Sequence, residues 1–349
     1  MCQNCIEHSL SSLLKDVSAS LELYGTFSLK LTQLKVCERQ REHLLLGSQP
    51  PRAVPTKALL FPSKRLQENQ RVVTILKVLK LIVQNLQRRC PTNTRDIYYQ
   101  DTELFGSQRR VQSALEKICR EIGISRFLLN VVPGAKGQVV GDITLRIRNI
   151  NGEVVTTIMR RADGPQLIPS GVTIDDIELC SSQTSYVLVV EKEAVLSYLW
   201  SQLPEALLFT GKGYPDFSTR HFLHCLSNKY PSLPFYSLVD SDAAGISIHR
   251  NFQEPRKTGP DVRYPLNNLK FLGVRLLDYT NELTTITYKE RNMLANMMRT
   301  GWILEDANAT VRVEVQRQLF LNTKAEMNVI DRQDTQRLAT YVRERVAQL

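Results

Sequence analysis

The chain has 349 residues, of which 42% are hydrophobic and 23% charged, a composition typical of a globular protein long enough for two domains and an extension. No stretch approaches the run of about 20 apolar residues that a membrane helix needs, and the first residues lack the basic-then-apolar order of a secretory signal. We therefore expect an intracellular protein with no membrane partner. Its 45 basic residues exceed its 35 acidic residues, and this excess favours a polyanionic partner such as nucleic acid.

The first 57 residues predict amphipathic helices followed by a linker. Apolar residues recur at three- and four-residue steps from Leu10 onward, so residues 9–45 are predicted to form helices. These helices would pack on the body of the protein or present their apolar stripe to a partner subunit. Three prolines between residues 47 and 55 exclude a helix interior there and predict a linker.

Residues 58–162 have the pattern of helices followed by strands. A helix is predicted from residue 63 or 66 to residue 89, and a basic helix over residues 109–122. Between them lies the segment 94–100, with Thr94 as its predicted N-cap and the pair Tyr98 and Tyr99 near its end.

Two β-rich runs follow, at residues 127–133 and 138–148, separated by glycines that predict a hairpin turn, and Asn151 with Gly152 predicts another turn. Helices followed by a hairpin describe a winged helix, whose basic helix would lie in a DNA groove. A generic α+β domain with a solvated charged face is the alternative.

The second half of the chain predicts an α/β domain. Residues 163–184 lack a pattern and are predicted to be an interdomain passage, with the acidic residues 175–178 in a solvated turn. Strands at residues 185–190, 206–210 and 235–239 alternate with helices, so the sheet should be mainly parallel, with functional loops at the carboxyl ends of its strands. Helices are predicted again at the carboxyl terminus, at residues 288–299, 310–322 and 324–348, with Trp302 packed between them.

Three carboxylates follow these predicted strands: Glu191, Asp240 and Asp242. Asp240 and Asp242 are two residues apart, so an extended chain directs both to the same side. Three carboxylates that converge repel one another unless a cation lies between them, and oxygen ligands without histidine or cysteine favour Mg²⁺ over zinc. The alternative is that each acid caps a following helix and needs no metal.

Four motifs in this order resemble a known family: residues 95–99 (RDIYY), 190–193 (VEKE), 211–216 (GKGYPD) and 240–245 (DSDAAG). They look like the motifs of the type IIB topoisomerase family, which includes the catalytic half of topoisomerase VI (its A-type chain) and the transesterase that makes meiotic DNA double-strand breaks. The resemblance covers about residue 63 to the end of the chain. It implies a multidomain α+β and α/β fold, in which a winged-helix (CAP-like) domain precedes a Rossmann-like Toprim domain with a mainly parallel sheet and carboxyl-terminal helices.

The resemblance also implies the domain limits and the roles of individual residues. Residues 1–57 are the amino-terminal helices and linker, 58–162 the winged-helix domain with the catalytic tyrosine, 163–184 the interdomain passage, and 185–349 the Toprim domain with the carboxyl-terminal helices. Ser241 and Ala243 stand where relatives commonly have proline or glycine, which puts the stiffness of that loop in question. The implied roles are catalytic for Tyr99 and Arg95, metal-binding (Mg²⁺) for Glu191, Asp240 and Asp242, and DNA-binding for Gly211, Lys212, Gly213 and Tyr214, with Arg109 and Arg110 of the basic helix added as DNA contacts.

Elementary chemistry is consistent with these roles. A phenol with a pKa near 10 needs its charge stabilised and its proton removed before it can attack a phosphate. Arg95 shares the helical face of Tyr99, four residues later, whereas Tyr98 points about 100° away. No general base for Tyr99 is predicted.

The partners implied by the resemblance are double-stranded DNA, a second copy of the chain, and a topoisomerase VI B-like subunit that contacts the amino-terminal helices. Residues 316–321 also resemble a segment that binds a WD-repeat protein, although a buried helix face explains that segment equally well. The expected location is the nucleus. The function that the resemblance implies is that of a transesterase that cuts DNA. Two other functions remain open: a Toprim nuclease that does not use the tyrosine, and a winged-helix DNA-binding scaffold without activity.

Overall fold

A computed structural model describes residues 2–29, 31, 58–122, 126–132, 134, 136–149, 152–254, 264–278, 283–327 and 337–349. The predicted linker at residues 47–55 and the helix prediction for residues 32–45 lie outside these ranges. No described helix is both long enough and apolar enough to cross a membrane. The described residues up to 134 belong to one compact unit, and those from 136 onward belong to a second.

Helices dominate the first unit because apolar residues recur at helical spacing along its longer segments. Their buried faces form one core that includes Leu10, Ile75 and Leu115, and the helices predicted at residues 66–89 and 109–122 are confirmed. The helix prediction is wrong for residues 27–29, which form a strand whose Phe27 ring stacks on Phe61 at 5.4 Å. The elements of this unit are α1 (Cys2–Tyr24), β1 (Phe27–Leu29), β2 (Leu59–Phe61), α2 (Leu66–Gln87), α3 (Thr94–Tyr99), α4 (Thr102–Phe105) and α5 (Gln108–Ile122).

The hairpin predicted across residues 134–137 does not form. A short 3₁₀ helix (Arg126–Leu129) replaces the strand predicted at 127–133, and the Arg126 guanidinium donates to Gln112 and Glu116 of α5. Leu129 is buried, so this apolar run fills the core without forming a strand. One of the glycines that predicted a turn has another role: a Cβ at Gly137 would overlap the Thr219 side chain. The chain at residue 137 therefore packs closely against the helix at residues 217–229, within the second unit.

The second unit is organised around a six-stranded sheet, and the predicted strands at residues 185–190, 206–210 and 235–239 are confirmed within it. The first two of them are completely buried five-residue runs, as expected for strands covered on both faces. Four neighbouring strands are mutually parallel, and the two pairings beyond them are antiparallel. In spatial order the sheet contains β11 (Leu269–Gly273), β10 (Phe235–Leu238), β8 (Tyr186–Val190), β9 (Ala206–Thr210), β3 (Gln138–Val140) and β6 (Gln166–Leu167).

A smaller antiparallel sheet contains β5 (Val154–Met159), β4 (Ile143–Arg148) and β7 (Thr173–Leu179) in that order. The predicted solvated turn at residues 175–178 is wrong, because these residues lie within β7. The strand tolerates its acids since Asp175 pairs with Arg148 at 2.8 Å and Asp176 with Lys229 at 2.6 Å. Both bases are distant in the sequence from the acids they neutralise.

Helices complete the second unit. Trp302 is buried and donates its indole N–H to Gln253 at 2.9 Å. The prediction of a continuous helix over residues 324–348 is wrong at its start, because Thr323 and Lys324 form a short strand with Thr284 and Thr285. The remaining elements are α6 (Glu193–Leu199), α7 (Phe217–Lys229), α8 (Ala243–Gln253), β12 (Thr284–Thr285), α9 (Tyr288–Met297), α10 (Gly301–Leu304), α11 (Ala309–Leu321), β13 (Thr323–Lys324) and α12 (Arg337–Ala347).

Candidate active site

The segment that carries Tyr99 is held by a capping box at the start of α3. The Asn93 side chain accepts hydrogen bonds from the backbone N–H groups of Arg95 (2.8 Å) and Asp96 (3.0 Å), and the Asp96 carboxylate accepts one from the Asn93 N–H at 3.1 Å. The N-cap is therefore Asn93, and the prediction of Thr94 is wrong by one residue. Two reciprocal bonds fix the first turn of a helix that is only six residues long.

The two tyrosines of α3 differ in environment. Ile97 is buried, and the Tyr98 ring packs against the same core. The Tyr99 side chain is 66% exposed, although its ring lies 5.5 Å from that of Tyr98. An exposed phenol can reach a large substrate, whereas a packed ring serves the core.

Arg95 lies one helical turn before Tyr99 and is also exposed. Among the described residues, no hydrogen bond or ion pair engages the Arg95 guanidinium, so this group is available to a phosphate. Within the same described part of the chain, no carboxylate or imidazole is hydrogen-bonded to the Tyr99 hydroxyl, and the general base remains unassigned.

The three predicted metal ligands lie at the carboxyl ends of adjacent parallel strands. Glu191 follows β8 directly, and its carboxylate accepts a hydrogen bond from the Asp240 N–H at 3.1 Å. Asp240 follows β10 by two residues. Asp242 is the N-cap of α8 and accepts from the Gly245 N–H at 2.7 Å. The capping alternative is therefore correct for Asp242, but neither Glu191 nor Asp240 caps a helix.

Electrostatics at this edge reflect carboxylates that are buried close together. Burial, followed by the negative charge of Asp240, raises the pKa of Glu191 to about 7. Burial also raises the pKa of Asp242. Both shifts mean that the folded protein disfavours these charges without a compensating cation.

Lys192 supplies such a cation. Its ammonium lies 2.8 Å from the Asp240 carboxylate. Burial alone would lower the pKa of Lys192, but the hydrogen bond to Asp240 and the charges of Asp240 and Glu191 raise it above its usual value. This lysine was not among the predicted site residues, although it stands inside the motif at residues 190–193.

The segment around β13 completes the surroundings of Asp240. One oxygen of Asp240 pairs with Lys192, and the other accepts from the Met327 N–H at 2.9 Å. Ser241 and Ala325 exchange two backbone hydrogen bonds. Lys324 pairs with Glu290 at 2.7 Å and contributes a positive charge near Asp242. These contacts are long-range in sequence, which is why residue spacing gave no signal for them.

The acidic edge offers carboxylate oxygens as possible ligands of a metal ion. Among the described residues, no group of three or more histidine, cysteine, aspartate or glutamate side chains is close enough together to hold one. The donor chemistry nevertheless fits a hard cation, since all the donors are carboxylate oxygens. The Lys192 ammonium already lies against one of these oxygens, on Asp240. Glu191 and Asp242 each use one carboxylate oxygen in these hydrogen bonds, whereas both oxygens of Asp240 are engaged, so Asp240 can bind a metal ion only after a partner is displaced.

The loop after β9 contains the predicted DNA-binding residues and is tied to the acidic edge. The Glu191 backbone carbonyl accepts from the Gly213 N–H at 2.9 Å and from the Thr210 hydroxyl at 3.2 Å. Lys212 and Gly213 both have positive φ, at +50° and +84°, so the turn is tight. A Cβ at Gly211 would lie 2.9 Å from Pro215 Cα. The loop is thereby fixed next to Glu191.

Tyr214 in this loop is exposed, and Lys136 is a neighbour that was not predicted. The Lys136 ammonium donates to the Tyr214 carbonyl at 2.6 Å, and its backbone N–H donates to Asp216, the N-cap of α7, at 3.2 Å. The only signal for Lys136 in the sequence was its position between two glycines. Two basic side chains therefore lie at the loop: Lys136 and Lys212, the latter paired with Glu193 at 2.9 Å.

Each unit therefore contains one part of the predicted site. The first unit brings Tyr99 and Arg95 onto one short helix, with Arg109 and Arg110 exposed in the first turn of α5. The second unit brings the three carboxylates and the loop at residues 211–214 to one edge of the sheet.

Comparison with known protein families gives two matches. Residues 70–131 match the family model described as "Type IIB DNA topoisomerase". Residues 186–346 match the model of the Toprim domain that Spo11 shares with the A-type chain of topoisomerase 6. The first match contains Tyr99 and the second contains the acidic edge.

Individual relatives agree with these matches. The chain is 32% identical over 263 residues to the meiotic recombination protein rec12 of Schizosaccharomyces pombe, covering 74% of this chain and 73% of that protein. It is 30% identical over 289 residues to the meiosis-specific protein SPO11 of Saccharomyces cerevisiae, covering 75% and 72%. It is 28% identical over 236 residues to the A-type chain of DNA topoisomerase 6 from Arabidopsis thaliana, covering 64% and 52%. The chain belongs to the family of type IIB DNA topoisomerases formed by Spo11 and the A-type chains of topoisomerase 6.

Proposed function

We propose that this chain is the topoisomerase-like transesterase that makes DNA double-strand breaks in meiotic recombination, with Tyr99 as its nucleophile. The observation that carries the proposal is the difference between two adjacent tyrosines within the type IIB match: Tyr98 packs on the core, whereas Tyr99 is exposed beside Arg95. The names of the relatives supply the meiotic context.

In the proposed reaction, the Tyr99 oxygen attacks a backbone phosphorus and the bond to the 3′ oxygen breaks. The products are a tyrosyl 5′-phosphate and a free 3′-hydroxyl, so one ester replaces another and no oxidant or water is consumed. The phenol proton passes to a base that is not identified. Arg95 stabilises the phosphate or the phenolate through charge-assisted hydrogen bonds.

A Toprim domain is typically a metal-binding domain, and we propose Mg²⁺ as the ion. Glu191, Asp240 and Asp242 would hold it, once the ion displaces the Lys192 ammonium from the Asp240 carboxylate. When bound, the ion would stabilise negative charge on the phosphate oxygens. The exposed Tyr214 and the backbone of residues 211–213 would position the duplex, together with Arg109 and Arg110 on α5.

The assembly is proposed on family grounds. Two copies of the chain cut one duplex, with the tyrosine of one protomer acting beside the carboxylates of the other. The proposed domains are the winged-helix domain at residues 58–162 and the Toprim domain with its carboxyl-terminal helices at residues 185–349, with residues 163–184 between them, although the described residues from 136 to 184 belong to the same compact unit as the Toprim domain. The amino-terminal helices within residues 1–57 bind a topoisomerase VI B-like subunit. Residues 316–321 bind a WD-repeat protein. The site of action is the chromosomes of the nucleus.

Recovery of covalent protein–DNA complexes from cleaving cells, or from a reconstituted reaction with partners, tests the proposal. Tyr99→Phe should abolish the complexes, whereas the matched control Tyr98→Phe should retain them. Glu191→Ala or Asp240→Ala should also abolish them. Normal cleavage by Tyr99→Phe would instead support a Toprim nuclease, and DNA binding without cleavage by the wild type would support an inactive scaffold.

A further inference from the structure

Helix α11 places two buried polar side chains behind the acidic edge. Glu314 and Gln318 are both buried, and their spacing of four residues puts them on one face of the helix. The Glu314 carboxylate accepts a hydrogen bond from the Leu276 N–H at 2.9 Å. The Gln318 amide donates to the Ser241 hydroxyl at 3.3 Å. Leu276 follows the end of β11 by three residues, and Ser241 follows the end of β10 by three residues. The helix therefore contacts the chain just beyond two adjacent parallel strands.

Ser241 lies between Asp240 and Asp242 in the acidic loop (residues 240–242) and is completely buried. Its backbone forms an antiparallel bridge with Ala325. In such an extended segment successive side chains point to opposite sides, so the Ser241 side chain is directed away from the two carboxylates. Among the described residues, only the Gln318 side chain is hydrogen-bonded to the Ser241 hydroxyl. This hydrogen bond therefore holds the acidic loop from behind.

Stability alone does not explain a glutamine at position 318. Its Oε1 atom is buried and has no hydrogen-bond partner among the described residues. A buried acceptor without a partner is destabilising, whereas replacing both members of a hydrogen-bonded pair by apolar groups of similar shape can be neutral or stabilising. The amide also faces inward, while Phe320, two residues later, is exposed. Gln318 is thus directed to the acidic loop and not to a partner on the outer side of α11.

We infer that Gln318 is a positioning residue for the metal ligands of the proposed reaction. Its hydrogen bond to Ser241 restrains the acidic loop, so that Asp240 and Asp242 keep the separation and direction that a shared cation needs. Neither Ser241 nor Ala243 restricts the backbone as a proline would, and the contact with α11 supplies the restraint instead. The inference rests on the proposed function in that the two aspartates bind the metal ion.

Hydrogen exchange of the full-length chain, without metal or DNA, tests the restraint. Amide exchange is followed by mass spectrometry in peptides that cover residues 239–245. Gln318→Leu and Ser241→Ala remove the same hydrogen bond, so each should speed exchange there about fivefold, the change expected for loss of a typical hydrogen bond. The double variant should exchange no faster than either single variant, because the two substitutions remove one shared interaction.

Global stability separates positioning from a general structural role. The double variant leaves no unpaired polar side chain at this contact, so its urea midpoint should equal or exceed that of the wild type. Gln316→Leu is the matched control, since it removes the same amide from an exposed position of α11, and it should leave exchange at residues 239–245 unchanged. Unchanged exchange in Gln318→Leu, or faster exchange only in step with a lower urea midpoint, would overturn the inference.

The consequence for the proposed reaction is measured with the partners present. The Mg²⁺ concentration for half-maximal adduct formation should rise about 10-fold in the double variant, a typical effect of losing a group that orients metal ligands. An unchanged Mg²⁺ requirement would show that Gln318 does not position the ligands. Absence of cleavage by the wild type would count against the proposed function, whereas the exchange measurements would still decide whether Gln318 restrains the acidic loop.

Discussion

Gly245 offers a sharp test of how the acidic edge is built. A Cβ added at this position would overlap the Asp240 carbonyl oxygen and lie 3.0 Å from the Asp240 nitrogen. These are backbone atoms, so no side chain can rotate away, and the first turn of α8 must move. The Gly245 N–H also donates to the Asp242 cap at 2.7 Å, and movement would weaken that bond.

The magnitude follows from two opposing effects. Alanine is favoured over glycine in a helix by up to about 1 kcal/mol, whereas overpacking typically costs about 1 to 3 kcal/mol and loss of a cap about 1 kcal/mol. We expect Gly245→Ala to lower the free energy of unfolding by about 2 kcal/mol, and to reduce covalent complex formation because Asp240 and Asp242 shift.

Urea denaturation of the full chain, followed by circular dichroism, measures the effect. Gly301→Ala is the matched control, since Gly301 begins α10 and a Cβ there has no atom within 4 Å. The control should be as stable as the wild type or slightly more stable. Equal urea midpoints for Gly245→Ala and Gly301→Ala would refute the close approach of α8 to Asp240.

Three further predictions concern stability, the nucleophile helix and the partner segment. Burial lowers the pKa of His249 to about 3 in the folded protein, whereas the unfolded ring takes up a proton near pH 6.5. The stability that the neutral ring contributes is therefore complete above pH 6.5 and is lost as the pH falls towards 3. Between pH 7.5 and 5 the wild type should therefore lose about 2 kcal/mol more than His249→Gln in urea titrations, and equal losses would contradict the assignment. Asn93→Ala removes the two hydrogen bonds that the Asn93 side chain accepts at the start of α3, at a cost of about 1 kcal/mol. It should slow adduct formation while DNA binding measured by anisotropy stays unchanged, and an unchanged adduct rate would argue against a need for this cap. Phe320 is 89% exposed, so Phe320→Ser should change the free energy of unfolding by less than about 0.5 kcal/mol. The same variant should abolish coprecipitation with the WD-repeat partner. A large loss of stability would instead indicate a buried helix face.

The elements that the sequence predicted well are those with an unambiguous local pattern. The runs at residues 186–190 and 206–210 are short and mostly apolar, and both are buried strands. The acids that follow the strands lie at the sheet edge because parallel strands end on the same side. In α2 and α5 the sequence pattern was sufficient to predict a helix.

The errors arose where local pattern was ambiguous or where distant residues decided the structure. The apolar run at residues 127–129 fits a buried 3₁₀ turn as well as a strand, and periodicity cannot separate them in so few residues. Acidic β7 is a strand because Arg148 and Lys229 neutralise its acids. Lys192 and Met327 meet Asp240 only in the folded unit, so residue spacing could not place them at the site.

The most direct test of the central claim is to locate the nucleotide on the protein. Covalent complexes formed with a defined duplex are digested with nuclease and trypsin, and the peptide of residues 96–109, which contains both tyrosines, is sequenced by mass spectrometry. We expect a 5′-linked nucleotide on Tyr99 and an unmodified Tyr98. A nucleotide on Tyr98, or on any residue outside this peptide, would show that Tyr99 is not the nucleophile.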